Sequence, residues 1–352
     1  MSDPVPWWEP GPEEVAAGVF RIPLPLPENA LRAVNAYAIV GPDSIALIDA
    51  GWAWADALSQ LRSGLAELGA ELGDVRRILV THVHRDHYSQ ALTLRREFGA
   101  HVALGAGERM SFVLVHEPGA TVNTRHIAGL RAAGAADLAV RVAAQFGARG
   151  FDLEGWEYPD QWLPAGPVTL PGGRELTAVE TPGHTRGHLV FYDVPAGLLF
   201  AGDHVLPHIT PSIAFEPEPG ALPLRAFLDS LRLVRQRPDA VLLPAHGPAG
   251  PSAHTRVDEL LAHHDLRLSE ALDALSGSVS TAYEVALVLR WTRHGRSLAE
   301  LDVTNAMLAV LETVAHLELL EAQGRVERTV ADGIASYSRV PVRPAAGPGR
   351  EG

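Results

Sequence analysis

The sequence predicts a layered α/β domain followed by a smaller module of helices and two short strands. Three observations carry that prediction. Strand-like and helix-like segments alternate over the first hundred residues. Strand-like segments return over residues 168–201, after a helical stretch. A Gly/Pro-rich stretch, Gly247-Pro248-Ala249-Gly250-Pro251, then sets off a run of helices.

Residues 18–23 and 33–40 are short apolar runs of the strand type, and 44–49 follows the turn Gly41-Pro42-Asp43 as the second arm of a hairpin. Residues 56–68 place Leu58, Leu61, Leu65 and Leu68 at spacings of 3, 4 and 3, an amphipathic helix. Residues 75–81 form a buried strand that runs straight into His82. Helices are expected over 108–116, 124–133 and 135–146, within a helical insertion spanning 104–165. Strands follow at 168–170, 175–180, 188–193 and 198–201, then a helix over 222–235 and a short strand over 241–244. Beyond the Gly/Pro stretch come helices over 256–275, 281–291 and 302–323, with Gly324 as the stop signal, and two strands over 325–330 and 335–340. Three helices followed by two strands read as a winged-helix-like module. The expected division is therefore 1–255 for the first domain, 256–340 for the second, and a disordered Pro/Gly-rich tail over 341–352.

Composition narrows the chemistry. The chain has 352 residues, of which 47% are hydrophobic and 20% charged, enough apolar matter for a packed core. A net charge of −13 argues against a general nucleic-acid binder, which needs a positive field. There is no cysteine, which excludes disulfides, thiolate metal sites and a Cys nucleophile. There is no lysine either, which excludes Schiff-base chemistry and a phosphate-loop Lys. Histidine is plentiful at 16 residues. The N-terminal segment lacks the basic start and apolar run of a signal peptide, and no long uncharged apolar stretch suggests a membrane span. The expectation is a cytoplasmic protein with neither membrane nor nucleic acid as partner; the oligomeric state is left open.

The strongest signal is Thr81-His82-Val83-His84-Arg85-Asp86-His87. Alternate side chains of an extended segment share a face, so His82 and His84 can point at one centre. A turn then lets Asp86 and His87 point at another. Imidazole and carboxylate are ligand types for zinc and similar cations. Three further segments put a ligand type at a strand end: His184 in Thr181-Pro182-Gly183-His184, Asp203 in Ala201-Gly202-Asp203, and His246 in Pro244-Ala245-His246.

With these segments, residues 15–250 resemble the metallo-β-lactamase superfamily. The resemblance implies a four-layer αβ/βα sandwich with a two-metal site at one edge. It implies that His82, His84 and His184 hold one metal, that Asp86, His87 and His246 hold the second, and that Asp203 bridges them. Asp49, in Leu47-Ile48-Asp49-Ala50-Gly51, matches the strand-end Asp that orients the His-rich loop. Asp at position 203 is similar to the glyoxalase II-like branch, although Tyr88-Ser89-Gln90 stands where that branch has two small residues. The C-terminal segments around Leu268–Leu272 and Thr281–Ala286 resemble the winged-helix tail of the lactamase-B2-like group, which includes acyl-carrier thioesterases and a ribonuclease.

The implied activity is a dinuclear metallohydrolase, in which a hydroxide bridging two divalent cations attacks an acyl substrate: a thioester, ester or lactone of small or medium size, including carrier-bound acyl groups. Zinc is the expected cation, with iron and manganese as alternatives. Asp86 and Asp203 are the expected catalytic carboxylates, and His188 is expected to be hydrogen-bonded behind the site. Trp52, His208, Trp156, Tyr158 and Trp162 are candidates for lining a substrate pocket, with the insertion as a lid. Two alternatives stand beside this reading, a single-strand endoribonuclease and a regulator acting through the winged helix. Eight arginines against thirteen acidic residues over 256–340 disfavour both.

Overall fold

The structure, a computed structural model, describes residues 6–27, 31–117, 121, 123–146, 153–213, 216, 220–275, 279–292 and 294–341. The tail from 342 onward, expected to be disordered, lies outside the described residues. The chain divides into two compact units, Met1–Val122 with Ala148–His263, and Asn123–Gly147 with His264–Gly352.

The first unit holds two sheets. One runs in the order β1 (Glu13–Ala16), β2 (Val19–Pro25), β3 (Ala33–Val40), β4 (Ile45–Ile48), β5 (Val75–Val80), β6 (His101–Gly105) and β7 (Gln161–Leu163). β1 to β4 pair antiparallel; β4 to β7 pair parallel. The crossovers are α1 (Ala55–Glu67) before β5, α2 (Arg85–Phe98) before β6, and α3 (Arg109–Val115) on the way to β7. The other sheet is β8 (Gly166–Thr169), β9 (Glu175–Glu180), β10 (Leu189–Asp193), β11 (Leu198–Gly202) and β12 (Val241–Pro244), with α6 (Pro223–Arg235) joining β11 to its parallel neighbour β12. The intervening α4 (Thr124–Ala132) and α5 (Ala136–Phe146) belong to the second unit.

Strand residues alternate between two cores. Val34, Ala36 and Ala38 of β3, with Leu47 of β4 and Ile78 and Val80 of β5, face a helix-side core closed by Leu61, Leu65, Tyr88, Leu92 and Phe112. Tyr37, Ile39, Ile48 and Leu79 face the other way, onto Leu176, Leu189, Phe191, Phe200 and Leu243 of the second sheet. Strands covered on both faces read as continuous apolar runs, which is why β4, β10 and β11 are buried throughout. α6 covers the far face of the second sheet with Leu224, Phe227, Leu231 and Val234. The result is the expected four-layer αβ/βα sandwich, helices outside and two sheets inside.

In the second unit, α9 (Val303–Ala322) packs with α4, α5, α8 (Ala282–Val288) and β14 (Val326–Ala331). By length and composition α9 could cross a membrane, yet just over half of its apolar window is buried within the protein. β14 pairs with β15 (Ile334–Arg339), which also pairs with the two-residue β13 (Ser280–Thr281). α7 (Ala253–Ala274) runs through the boundary between the units. The insertion expected over 104–165 is thus not one body. Residues 106–115 and 153–163 stay with the first unit, and α4 and α5 join the second.

Candidate metal centre

The site lies where β4, β5, β9, β11 and β12 end. At the end of β4, Asp49 holds φ +58, a left-handed conformation uncommon for a residue with a side chain. That turn aims its carboxylate back across the sheet. It accepts from Thr81 N–H (2.8 Å) and Thr81 Oγ1 (2.9 Å), and faces His87 Nδ1 at 2.8 Å. One buried carboxylate thereby fixes both ends of the His-rich segment. β5 stops at Val80, the chain runs extended through His82 to His84, and α2 begins at Arg85, so Asp86 and His87 occupy its first turn.

Four of the five ligand imidazoles have one nitrogen pinned, which sets the tautomer and frees the other. His82 Nδ1 meets Thr81 Oγ1 at 3.1 Å, and His87 Nδ1 meets Asp49. His184, in the loop between β9 and β10, donates from Nδ1 to Ser212 O at 2.7 Å. His246, just past β12, donates from Nδ1 to Ala33 O at 2.8 Å. The second nitrogens converge. His84 Nδ1 lies 2.9 Å from His82 Nε2 and 3.1 Å from His184 Nε2. A single proton on His84 Nδ1 cannot serve two facing nitrogens.

Asp203 follows Gly202, whose φ is +51 and where a Cβ would meet Thr81 Oγ1 at 2.7 Å and His188 Nε2 at 2.8 Å. Glycine lets the turn press onto the ligand loop. Asp203 Oδ2 stands 3.6 Å from His184 Nε2; Oδ1 stands 3.4 Å from His246 Nε2 and 3.6 Å from His87 Nε2. Asp86 Oδ2 is 3.4 Å from His246 Nε2. These separations are long for hydrogen bonds. Donors each about 2.0–2.2 Å from one tetrahedral centre stand about 3.4 Å apart. Asp203 Oδ1, His87 Nε2 and His246 Nε2 are buried with no hydrogen-bond partner, a costly arrangement unless a cation sits among them. The donors fall into two groups, His82, His84, His184 and Asp203, and Asp86, His87 and His246. The donor chemistry fits a divalent cation in each.

Electrostatics differ between the groups. Burial holds His82 and His84 far below the ordinary histidine value, reinforced by neighbouring imidazoles, so both present neutral lone pairs. Burial also works against a charge on His87, but Asp49, Asp86 and Asp203 outweigh it and push its pKa up to about 10. His246 is raised by Asp203 and Asp86 against the same burial. Asp86 is held well below the carboxylate range because His87 and His246 overcome its burial.

The structure brings all seven expected ligands and Asp49 together. His188 lies behind them, facing Thr181 Oγ1 at 2.9 Å, accepting from Asp203 N–H at 3.2 Å and stacking on His82. The pocket candidates scatter. Trp52 lies under the Arg85 guanidinium, 5.5 Å from its ring centre. His208 is exposed on a loop that Arg256 pins through Leu206 O and Ile209 O. Trp156, Tyr158 and Trp162 each pack on Phe112 at 5.3 Å, and the two tryptophans join the helix-side core. The buried Phe112 on α3 supplies an apolar partner for these rings, while Tyr158 keeps about half its surface exposed. Sequence reasoning gave Thr81 no role, although its place directly before His82 was visible.

Comparison with known proteins agrees with this geometry. Residues 30–246 match the family model described as the metallo-beta-lactamase superfamily, and 268–340 match one described as a metallo-beta-lactamase-like C-terminal domain. The chain is 24% identical over 340 residues to "Probable metallo-hydrolase YqjP" of Bacillus subtilis, covering 88% of this chain and 93% of that one. It is 32% identical over 110 residues to "Atrochrysone carboxyl ACP thioesterase AgnL7" of Paecilomyces divaricatus, covering 31% and 32%. Among solved structures, a metallo-beta-lactamase family protein from Thermus thermophilus superposes with a TM-score of 0.71 at 29% identity, over 93% of this chain and all of that one.

Proposed function

The chain belongs to the metallo-beta-lactamase superfamily of hydrolases, and from that membership we propose that it hydrolyses acyl thioesters with two divalent cations, zinc by preference. The observation that carries the reading is Asp203, whose two oxygens face the two donor groups. His82, His84 and His184 would hold one cation, Asp86, His87 and His246 the other, and Asp203 would touch both. When bound, such a pair supplies Lewis acidity that polarises a carbonyl and activates water.

The protein's own groups do the rest. Asp49, Ser212 O and Ala33 O fix the imidazole orientations before substrate arrives. Asp86, with its side chain 17% exposed, is the most open of the site's carboxylates and is placed to orient the attacking water. In the reaction the C–S bond breaks, a C–O bond to water forms, a carboxylate and a thiolate leave, and the two water protons pass to solvent. A thiolate is an acyl leaving group that departs without first being protonated. The partial similarity to a fungal acyl-carrier thioesterase supports the same choice.

The test is a hydrolysis screen of the zinc-loaded protein against acyl thioesters, oxygen esters, lactones and single-stranded RNA. Turnover is expected on thioesters first. RNA cleavage that falls steeply with salt, alongside inert thioesters, overturns the reading.

A further inference from the structure

Glu108 is a carboxyl group that the chemistry above does not use. It is fully buried in the short turn between β6 and α3. Its Oε1 accepts from Thr185 Oγ1 at 2.5 Å, and the nearby Val83 backbone N–H favours its ionised form. Val83 separates His82 from His84, and Thr185 follows His184. The same turn is pressed onto the His184 loop backbone to backbone. A Cβ on Gly187 would lie 2.1 Å from Glu108 N, and one on Gly105 2.1 Å from Gly187 O. Only paired glycines allow that approach.

A second buried acid completes the arrangement. Glu216 Oε2 accepts from Arg186 N–H at 2.8 Å, on the same loop. Ser111 Oγ lies 3.3 Å from Glu108 Oε2 and 3.0 Å from Glu216 Oε1. The Arg186 guanidinium faces Glu216 Oε1 at 3.4 Å, whereas among the described residues no such cation stands beside Glu108. In keeping with this, burial and Glu216 push the Glu108 pKa up to about 8. A buried acid that is expensive to ionise stays in place where it makes hydrogen bonds that nothing else supplies.

We propose that Glu108 is a positioning residue that holds the His184 loop against the β6–α3 turn, setting where His184 stands relative to the two imidazoles with which it would share one cation. The proposal rests on reading those histidines as ligands. Asp49 plays the matching part for the other ligand segment, through Thr81 and His87.

Cobalt(II) titration of the cation-free full-length protein tests it, read by the visible absorption of the bound ion. Glu108→Ala and Thr185→Val, the latter removing only the hydroxyl, are expected to weaken the first cobalt equivalent about 10–100-fold and to shift its absorption bands. Glu108→Gln and Thr185→Ser keep the hydrogen-bonding pattern and are expected to stay close to the parent. Leu65→Ala, at a buried α1 position that supplies no ligand, controls for lost stability and is expected to lower the melting temperature without moving the cobalt bands. A parent that takes up no cobalt overturns the ligand reading and this proposal together. A parent that binds cobalt, with a folded Thr185→Val variant matching it in affinity and spectrum, overturns this proposal alone. If Glu108→Ala does not fold, the Thr185 pair decides by itself.

Discussion

Individual residues at the site do one of two jobs, and substitution should separate them. Asp203 faces both donor groups, whereas His188 spends both nitrogens behind them, on Thr181 and on the Asp203 amide. Asp203→Ala is expected to reduce bound zinc from about two ions per chain to about one and to abolish most of kcat. His188→Ala should instead cost about 1–3 kcal/mol of stability through its lost buried hydrogen bonds, with zinc content retained. Metal analysis and thermal unfolding of the two variants check this; the reverse pattern exchanges the assigned roles. The donor residues were legible because their types are rare in apolar strand-end contexts and cluster within Thr81–His87. Glu108 was not. It stands alone between Gly107 and Arg109, and its partners Thr185 and Glu216 lie 77 and 108 positions away, where no local pattern reaches.

Elements were legible wherever periodicity was undisturbed. Ala33–Val40, Glu175–Glu180 and Val241–Pro244 fall where the apolar runs place them. α2 and β6 were not anticipated. The residues that open α2 are the ligands themselves, so its first turn reads as a polar loop, and its buried positions Tyr88, Ala91 and Leu92 emerge only after the motif. Five residues of β6 lie close behind the Gly99 that ends α2, leaving little room for a strand signal. The aromatic residues near α3 illustrate a further limit: a Trp-rich segment looks the same in sequence whether it lines a pocket or packs on a ring. Phe112 is fully buried among them, so Phe112→Ala should cost about 3–5 kcal/mol in thermal or denaturant unfolding. Trp162→Ala should lower stability while leaving unchanged the ratio of kcat/KM between short and long acyl thioesters. A ratio that collapses toward one returns Trp162 to the substrate pocket.

At the scale of the whole molecule, the Gly247–Pro251 stretch suggested a division there, whereas the units divide inside α7 between His263 and His264, and the company kept by α4 and α5 was not visible. An amphipathic stripe shows that a helix buries one face, not which part of the chain it buries it against. What links the site to the stability of the whole fold is protonation. In the cation-free protein His87 is raised to about 10, above its unfolded value of about 6.5, so its stabilising contribution is complete below about pH 6.5 and fades as pH climbs through 10. Asp86 is depressed, so its contribution is present above about pH 4 and fades as pH falls toward its folded value. Glu108, raised to about 8 from an unfolded value near 4.5, adds a loss of stability as pH rises between those two values. A cation needs His87 and His246 without their protons, so it competes with the state that stabilises the empty site at low pH. Stabilisation by zinc should therefore widen with pH: the melting-temperature gap between zinc-saturated and chelator-treated protein is expected to be small at pH 6 and larger at pH 8. At zinc concentrations about 1,000 times the dissociation constant the gap corresponds to about 4 kcal/mol per site. Thermal unfolding at pH 6, 7 and 8, with and without chelator, measures it. A gap that stays constant or narrows across that range would falsify the proton-for-cation exchange at His87 and His246.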